Sequence, residues 1–217
     1  DHPRPDLLAA AVYGMPELHR ADLVALREAE VRIVGAPGCY STTALLALAP
    51  LARAGLLGDV VIDAKSGVSG AGREARAEMM FGEVNESVRA YGVGGHRHVA
   101  EIEQELGIAA GTPIEPVDFL PHLIPMTRGI LATCYARPAK AGVTGSSLLD
   151  TYREWGGTKD SPVIAIIDWP NQKTASEQEH LASTFTKLGY PSFVCHPHEL
   201  ELRGGRLMGR GEPIDIV

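Results

Sequence analysis

Cysteine is scarce in this 217-residue chain: the three residues, Cys39, Cys134 and Cys195, are odd in number and far apart. Such spacing rules out a disulfide framework, offers no paired metal ligands, and predicts a reducing, cytoplasmic setting. Long apolar runs are missing too. No stretch reaches the roughly 18 apolar residues of a membrane span, and no charged-then-apolar leader opens the sequence, so neither span nor secretory signal is expected. Basic charge is in deficit, with 20 Lys and Arg against 27 Asp and Glu for a net charge of −7. That field does not attract nucleic acid or anionic membrane, which leaves small-molecule chemistry as the expected role. The first residue is Asp1, and 1–6 with its two prolines reads as the interior of something longer; a fragment or processed product is expected.

What is present is ordinary in bulk, 45% hydrophobic and 22% charged, enough for one full core or two small ones. The informative segment is Gly35-Ala36-Pro37-Gly38-Cys39, followed by Tyr40-Ser41-Thr42-Thr43 and the apolar run 44–51. It places one thiol at the mouth of a predicted helix. Unpaired N–H groups of a first helical turn carry the positive end of the macrodipole and favour a thiolate, the form that attacks acyl carbon. Cys39 is therefore the candidate nucleophile, with a small buried turn cysteine as the alternative.

Patterning predicts a short helix over 22–30, a strand over 31–34, and a helix capped by Ser41 or Thr42 that stops near Gly55. A β-branched strand over 59–64 follows, then the glycine-rich loop 66–73 and a helix from Glu74 to about Gly82. A helix over 99–106 ending at Gly107 comes next. Strands over 114–120 and 129–136 flank a loop over 121–128. A weak helix over 148–155 precedes a linker, and the tail contains strands 163–168 and 192–195 around a helix over 176–188, with a last strand over 214–217. This predicts an α+β or α/β chain, divided as a remnant over 1–34, a main domain over 35–155, a linker over 156–162 and a β-α-β tail over 163–217.

Several side chains can carry chemistry beside Cys39. His96 and His98 straddle Arg97, so on an extended segment both histidines point to one side. Imidazole has the proton affinity that a thiolate's acid/base partner needs. Two histidines also suit a metal, but no third ligand follows at sensible spacing, and no metal is expected. The Gly-x-x-Gly-x-Gly order of 67–72 reverses a dinucleotide fingerprint, yet its amides could wrap a phosphate. Arg128 is a planar bidentate donor in a proline-bounded loop, suited to a carboxylate or phosphate. Cys195-His196-Pro197-His198 lacks a partner cluster, and the tail's β-α-β unit lacks the glycines of a nicotinamide site.

Five motifs in order, Tyr13-Gly14-Met15-Pro16-Glu17-Leu18, Gly35 to Thr42, Ser66 to Arg73, Gly95-His96-Arg97-His98 with Glu101-Ile102, and His122 to Ile130, resemble N-acetyl-gamma-glutamyl-phosphate reductase over about residues 8–155. The resemblance implies a glyceraldehyde-3-phosphate-dehydrogenase-like catalytic domain with a mixed sheet, and NADPH-dependent reduction of a small acyl phosphate through a cysteine thioester, a step of arginine biosynthesis. By that resemblance Cys39 is the nucleophile and His98, with His96, the acid/base. Ser66, Gly67 and Gly70 touch the cofactor, and Arg97 and Arg128 hold substrate anions. Ser41 departs from a proline common in the family. The family's opening nucleotide-binding unit with its glycine fingerprint is not in this sequence. The tail, about 163–217, resembles the opening of a circularly permuted ATP-grasp protein in Ala165-Ile166-Ile167-Asp168-Trp169 and His196-Pro197-His198-Glu199-Leu200. A catalytically inactive remnant and a cofactor-independent cysteine hydrolase are the competing expectations. Apolar surface left by missing chain predicts self-association.

Overall fold

The computed structural model describes residues 5–30, 32–71, 76–156, 164–167 and 175–214. The chain divides into two compact units after Gly156. In the first, β1 (Ala11–Tyr13) runs parallel to β2 (Ile33–Gly35), with α1 (Pro16–Ala25) between them. This helix starts six residues before the predicted one. Pro16 occupies its first turn, where a missing N–H costs nothing, and a 3-10 turn over Leu26–Glu28 ends it.

The main layer of this unit is a four-stranded mixed sheet in the order β4 (Arg89–Ala90), β5 (Asp118–Leu123), β3 (Leu57–Ser66), β6 (Ile130–Pro138). Strand β3 pairs parallel with β5 and antiparallel with β6. Its period-2 pattern puts Val60, Ile62, Ala64 and Ser66 on the buried side. Against that side pack α2 (Cys39–Arg53) and α4 (His98–Ala110), and Leu45, Leu48, Ile102 and Leu106 fill the space between helices and sheet. Each such side chain contributes about 1.5–3 kcal/mol by leaving water. Helix α5 (Gly145–Gly156) docks on α2, with Tyr152 donating to the Ala47 carbonyl at 2.6 Å and the Arg53 guanidinium 5.4 Å from the Trp155 ring.

Three expectations for this unit are corrected. Gly38, not Ser41 or Thr42, caps α2, so Cys39 is the first helical residue; the Thr42 and Thr43 hydroxyls instead donate back to the Gly38 and Cys39 carbonyls. Gly107 lies inside α4, which continues to Gly111, where φ reaches +69°. The helix predicted from Glu74 does not form over the described part: Met80 is extended and splits it into a 3-10 turn and the single-turn α3 (Phe81–Val84).

In the second unit β7 (Ile164–Ile167) and β8 (Ser192–Cys195) are parallel around α6 (Ala175–Lys187), as the β-α-β pattern predicted. An antiparallel meander follows, β9 (Leu200–Arg203), β10 (Arg206–Gly209) and β11 (Glu212–Pro213), turning at Gly204-Gly205. The patterning missed it because its strands are short and charged. Ile214 lies after β11, and 215–217, where a last strand was predicted, fall outside the described residues.

Candidate active site

Cys39 is exposed at the first position of α2. The neighbourhood is organised through Gly38. A Cβ there would lie 2.5 Å from His98 Nε2, 2.8 Å from His98 Cδ2 and 2.9 Å from Glu101 Oε2. Only a residue without a side chain lets the turn before Cys39 meet the start of α4 this closely. The Gly38 amide donates to Glu101 Oε1 at 2.8 Å, and the Tyr13 hydroxyl donates to the same oxygen at 2.6 Å.

Glu101 was quoted in the sequence motif without a role; its spacing three residues after His98, on one helix face, is the signal that could have found it. Burial raises the proton affinity of its carboxyl, but the hydrogen bonds from Tyr13 and Gly38 and the nearby His98 outweigh this and hold it below the usual carboxylate range. Ser41 Oγ is buried in the same neighbourhood without a hydrogen bond of ordinary geometry.

The two histidines come together, though not on an extended segment. Arg97 already has helical angles and His98 opens α4, so the alternation argument fails, yet the two rings meet edge to face with centroids 4.8 Å apart. The His98 backbone amide donates to His96 Nδ1 at 3.2 Å. Neutral His96 therefore carries its proton on Nε2. Burial pushes the proton affinity of both imidazoles down, and the Arg97 charge adds to this. For His98 the Glu101 carboxylate acts in the opposite direction. Neutral imidazole is the form that can accept a thiol proton.

An aromatic wall surrounds them. Tyr40 lies edge-on to His96, His98 and Phe119, and its hydroxyl pairs with that of Tyr91 at 2.7 Å. Burial raises the Tyr91 hydroxyl's proton affinity, the Tyr40 partner and the nearby Cys39 thiol adding to it. Tyr40 and Tyr91 were not singled out from sequence, because nothing in their spacing marks aromatic residues 51 positions apart as neighbours.

Arg97 is exposed beside the histidines, whereas Arg128 lies on the 124–129 loop. That loop is zipped to the turn after β3: the amides of Gly67, Val68 and Ser69 donate to the carbonyls of Gly129, Met126 and Thr127. These three amides are consequently unavailable to wrap a phosphate. A Cβ on Gly67 would meet the Arg128 backbone nitrogen at 2.8 Å, so the close approach of the two loops demands glycine. Ser66 is buried at the root of the turn, its hydroxyl donating to the Gly67 carbonyl, and a Cβ on Gly70 would come 3.3 Å from Ser66 Oγ. Residues 72–73 of the predicted loop lie outside the described residues. The three cysteines are free, and among the described residues no group of three or more His, Cys, Asp and Glu could hold a metal ion.

The model of one protein family, the semialdehyde dehydrogenase dimerisation domain, matches residues 39–191, from Cys39 into the second unit. The chain belongs to that family. Among curated relatives, the N-acetyl-gamma-glutamyl-phosphate reductase of Heliobacterium modesticaldum is 46% identical over 188 residues, which is 82% of this chain and 51% of the relative. That of Moorella thermoacetica is 54% identical over 143 residues, 64% of this chain and 40% of the relative. The chain thus spans about half the length of the curated relatives it matches. Among solved structures, aspartate semialdehyde dehydrogenase II from Vibrio cholerae superposes with a TM-score of 0.52 at 16% identity, covering 77% of this chain and 55% of that one. A likeness at that identity shows the shared, glyceraldehyde-3-phosphate-dehydrogenase-like fold and nothing about substrate. Among the described residues no helix of this family member is long and apolar enough to cross a membrane.

Proposed function

We propose that this chain carries the nucleophile and acid/base machinery of an NADPH-dependent N-acetyl-gamma-glutamyl-phosphate reductase, which converts N-acetylglutamyl phosphate to N-acetylglutamate semialdehyde in the cytoplasmic biosynthesis of arginine. The observation that carries the reading is the crowding at Gly38, which brings His98 and Glu101 against the residue preceding Cys39. The names of the curated relatives support the choice of substrate.

On this reading His98 takes the thiol proton, and Cys39 Sγ bonds to the acyl carbon while the acyl C–O bond breaks and phosphate departs with its electron pair. The product is a thioester on Cys39. NADPH, when bound, supplies the hydride that reduces it. The resulting thiohemiacetal oxyanion collapses as its C–S bond breaks, releasing the aldehyde and the Cys39 thiolate, which recovers a proton from His98. His96 holds the His98 amide, Glu101 fixes the nucleophile turn, and Arg97 is the anion holder closest to the histidines. By resemblance Ser66, Gly67 and Gly70 line the cofactor; Ser66 and Gly67 are buried at the root of the turn and Gly70 is exposed, with Arg128 on the loop zipped to that turn.

The partner is a second copy of the chain. Both main-layer helices lie on one side of the four-stranded sheet, and the other side exposes Leu131 at 64% and Tyr135 at 58%, together with Val61 and Leu120. The family's description as a dimerisation domain supports pairing of two chains, and the bare sheet face is the surface proposed for it.

The test is intact-mass spectrometry of the chain with freshly generated N-acetylglutamyl phosphate. Acylation needs no cofactor, so an adduct absent from Cys39→Ser is the expected result. A folded chain that takes no adduct favours the inactive remnant, and turnover of simple esters without NADPH favours the cysteine hydrolase.

A further inference from the structure

The turn before Cys39 is held at both ends by groups that converge on one residue of β1. At its start, Tyr13 pairs with Gly35 in the parallel register of β1 and β2, and the Gly14 amide donates to the Gly35 carbonyl at 2.8 Å. At its end, the Gly38 amide and the Tyr13 hydroxyl donate to the same oxygen, Glu101 Oε1, at 2.8 and 2.6 Å. Tyr13 therefore closes a ring: its backbone lies beside the residue where the turn begins, and its hydroxyl holds the carboxylate that holds the residue where the turn stops. Burial and the carboxylates of Glu101 and Glu105 raise the proton affinity of that hydroxyl, so it stays a donor. A second polar contact lies one turn further along α4, where His19 Nε2 meets Glu105 Oε2 at 2.6 Å. The two contacts adjoin, the Tyr13 ring lying edge-on to that of His19 with centroids 5.7 Å apart. The Tyr13 contact shares its acceptor with the Gly38 amide, whereas the His19 contact is made at the other carboxylate.

We propose that Tyr13 is a positioning residue for acylation of Cys39, acting through Glu101; the inference rests on the reductase chemistry proposed above. A carboxylate held by the Gly38 amide alone can swing with its own side-chain torsions and carry the turn with it. A second donor, rooted on a strand already paired to the start of the turn, removes that freedom. Gly38 then keeps the close approach to His98 that its missing side chain permits, and Cys39 follows it directly in the chain. The Tyr13 hydroxyl donates to Glu101 and not to a reacting atom, so its loss loosens the turn without removing a substrate contact. The signature of such a role is slower acyl transfer at saturation with an unchanged half-saturating concentration.

Rapid-quench intact-mass spectrometry of the full chain, over a range of N-acetylglutamyl phosphate concentrations, reads the maximal acylation rate and the half-saturating concentration separately. The variants are Tyr13→Phe, Glu101→Ala, the two combined, and His19→Leu. Tyr13→Phe keeps the ring against His19 and is expected to lower the maximal rate about tenfold with the half-saturating concentration unchanged. Added to Glu101→Ala, it is expected to cost nothing further. His19→Leu loosens the neighbouring contact with α4 and melts earlier, yet acylates at the wild-type maximal rate. A Tyr13→Phe chain as fast as wild type, or one altered only in half-saturation, overturns the positioning role. So does a tenfold loss that persists on the Glu101→Ala background, or a His19→Leu chain as slow as Tyr13→Phe; each of these leaves Cys39 standing as the nucleophile. A folded wild type that takes no adduct overturns the reductase reading and this role with it.

Discussion

Replacing Gly38 by alanine adds one methyl group where the nucleophile turn meets α4. The backbone there has φ −65° and ψ 149°, angles any residue adopts, so the substitution carries no conformational strain and its whole effect is steric. The new Cβ would stand 2.5 Å from His98 Nε2, and ordinary contact begins at 3.4 Å, so imidazole and turn must separate by about 0.9 Å (3.4 minus 2.5). His98 is 8% exposed, packed against Tyr40 and His96, and has little room to retreat. Overpacking of this kind costs about 1–3 kcal/mol of stability. The cost to reaction is larger, because a displacement of about 1 Å in a reacting pair lowers rate by roughly 10²-fold. The expected outcome is a Gly38→Ala chain that melts only a few degrees early yet acylates Cys39 about a hundredfold more slowly by time-resolved intact mass. An alanine variant acylating at the wild-type rate would refute the claim that His98 must approach through the space left by Gly38.

Further outcomes follow from ionisable groups in or near the core. Glu105 is 1% exposed, and its Oε2 meets His19 Nε2 at 2.6 Å while Gln104 donates to Oε1, so His19→Leu leaves Oε2 buried without that partner and should cost about 1–3 kcal/mol in denaturant unfolding, whereas His19→Leu with Glu105→Leu should recover most of it; equal loss in single and double variants would count against the pair. For pH, burial depresses both His96 and His98, so the unfolded chain takes up protons first as pH falls below about 6.5. Their contribution to stability is fully present above that value and is lost below it, and replacing both by Asn should remove this early component of acid unfolding by circular dichroism. Glu101, depressed as well, contributes a later loss at more acid pH.

Features carried by short-range rules were legible in the amino-acid order. The Cys39 helix start, the alternating β3, the β-α-β pattern of the second unit and the reductase-like motifs all follow from residues a few positions apart, where helical and strand periodicities act. Boundaries failed where packing overrode local preference: Gly107 stays helical because α4 is held on both sides by α2 and the sheet, and Met80 breaks a helix that sequence spacing allowed. The site itself was half legible. Cys39, His96 and His98 announce themselves by type and position, but the pairing of Glu101 with Gly38 and Tyr13, 63 and 88 residues away, does not. Nor does the meeting of Asp63 with His122, which requires β5 to lie beside β3. The sequence by itself determined which groups could react and which segments would coil or extend, because those depend on side-chain chemistry and local backbone preference. Only the tertiary structure decided which of them meet, that the Gly67, Val68 and Ser69 amides are spent on a neighbouring loop, and which sheet face is left bare, because these depend on contacts between distant segments that no local pattern encodes.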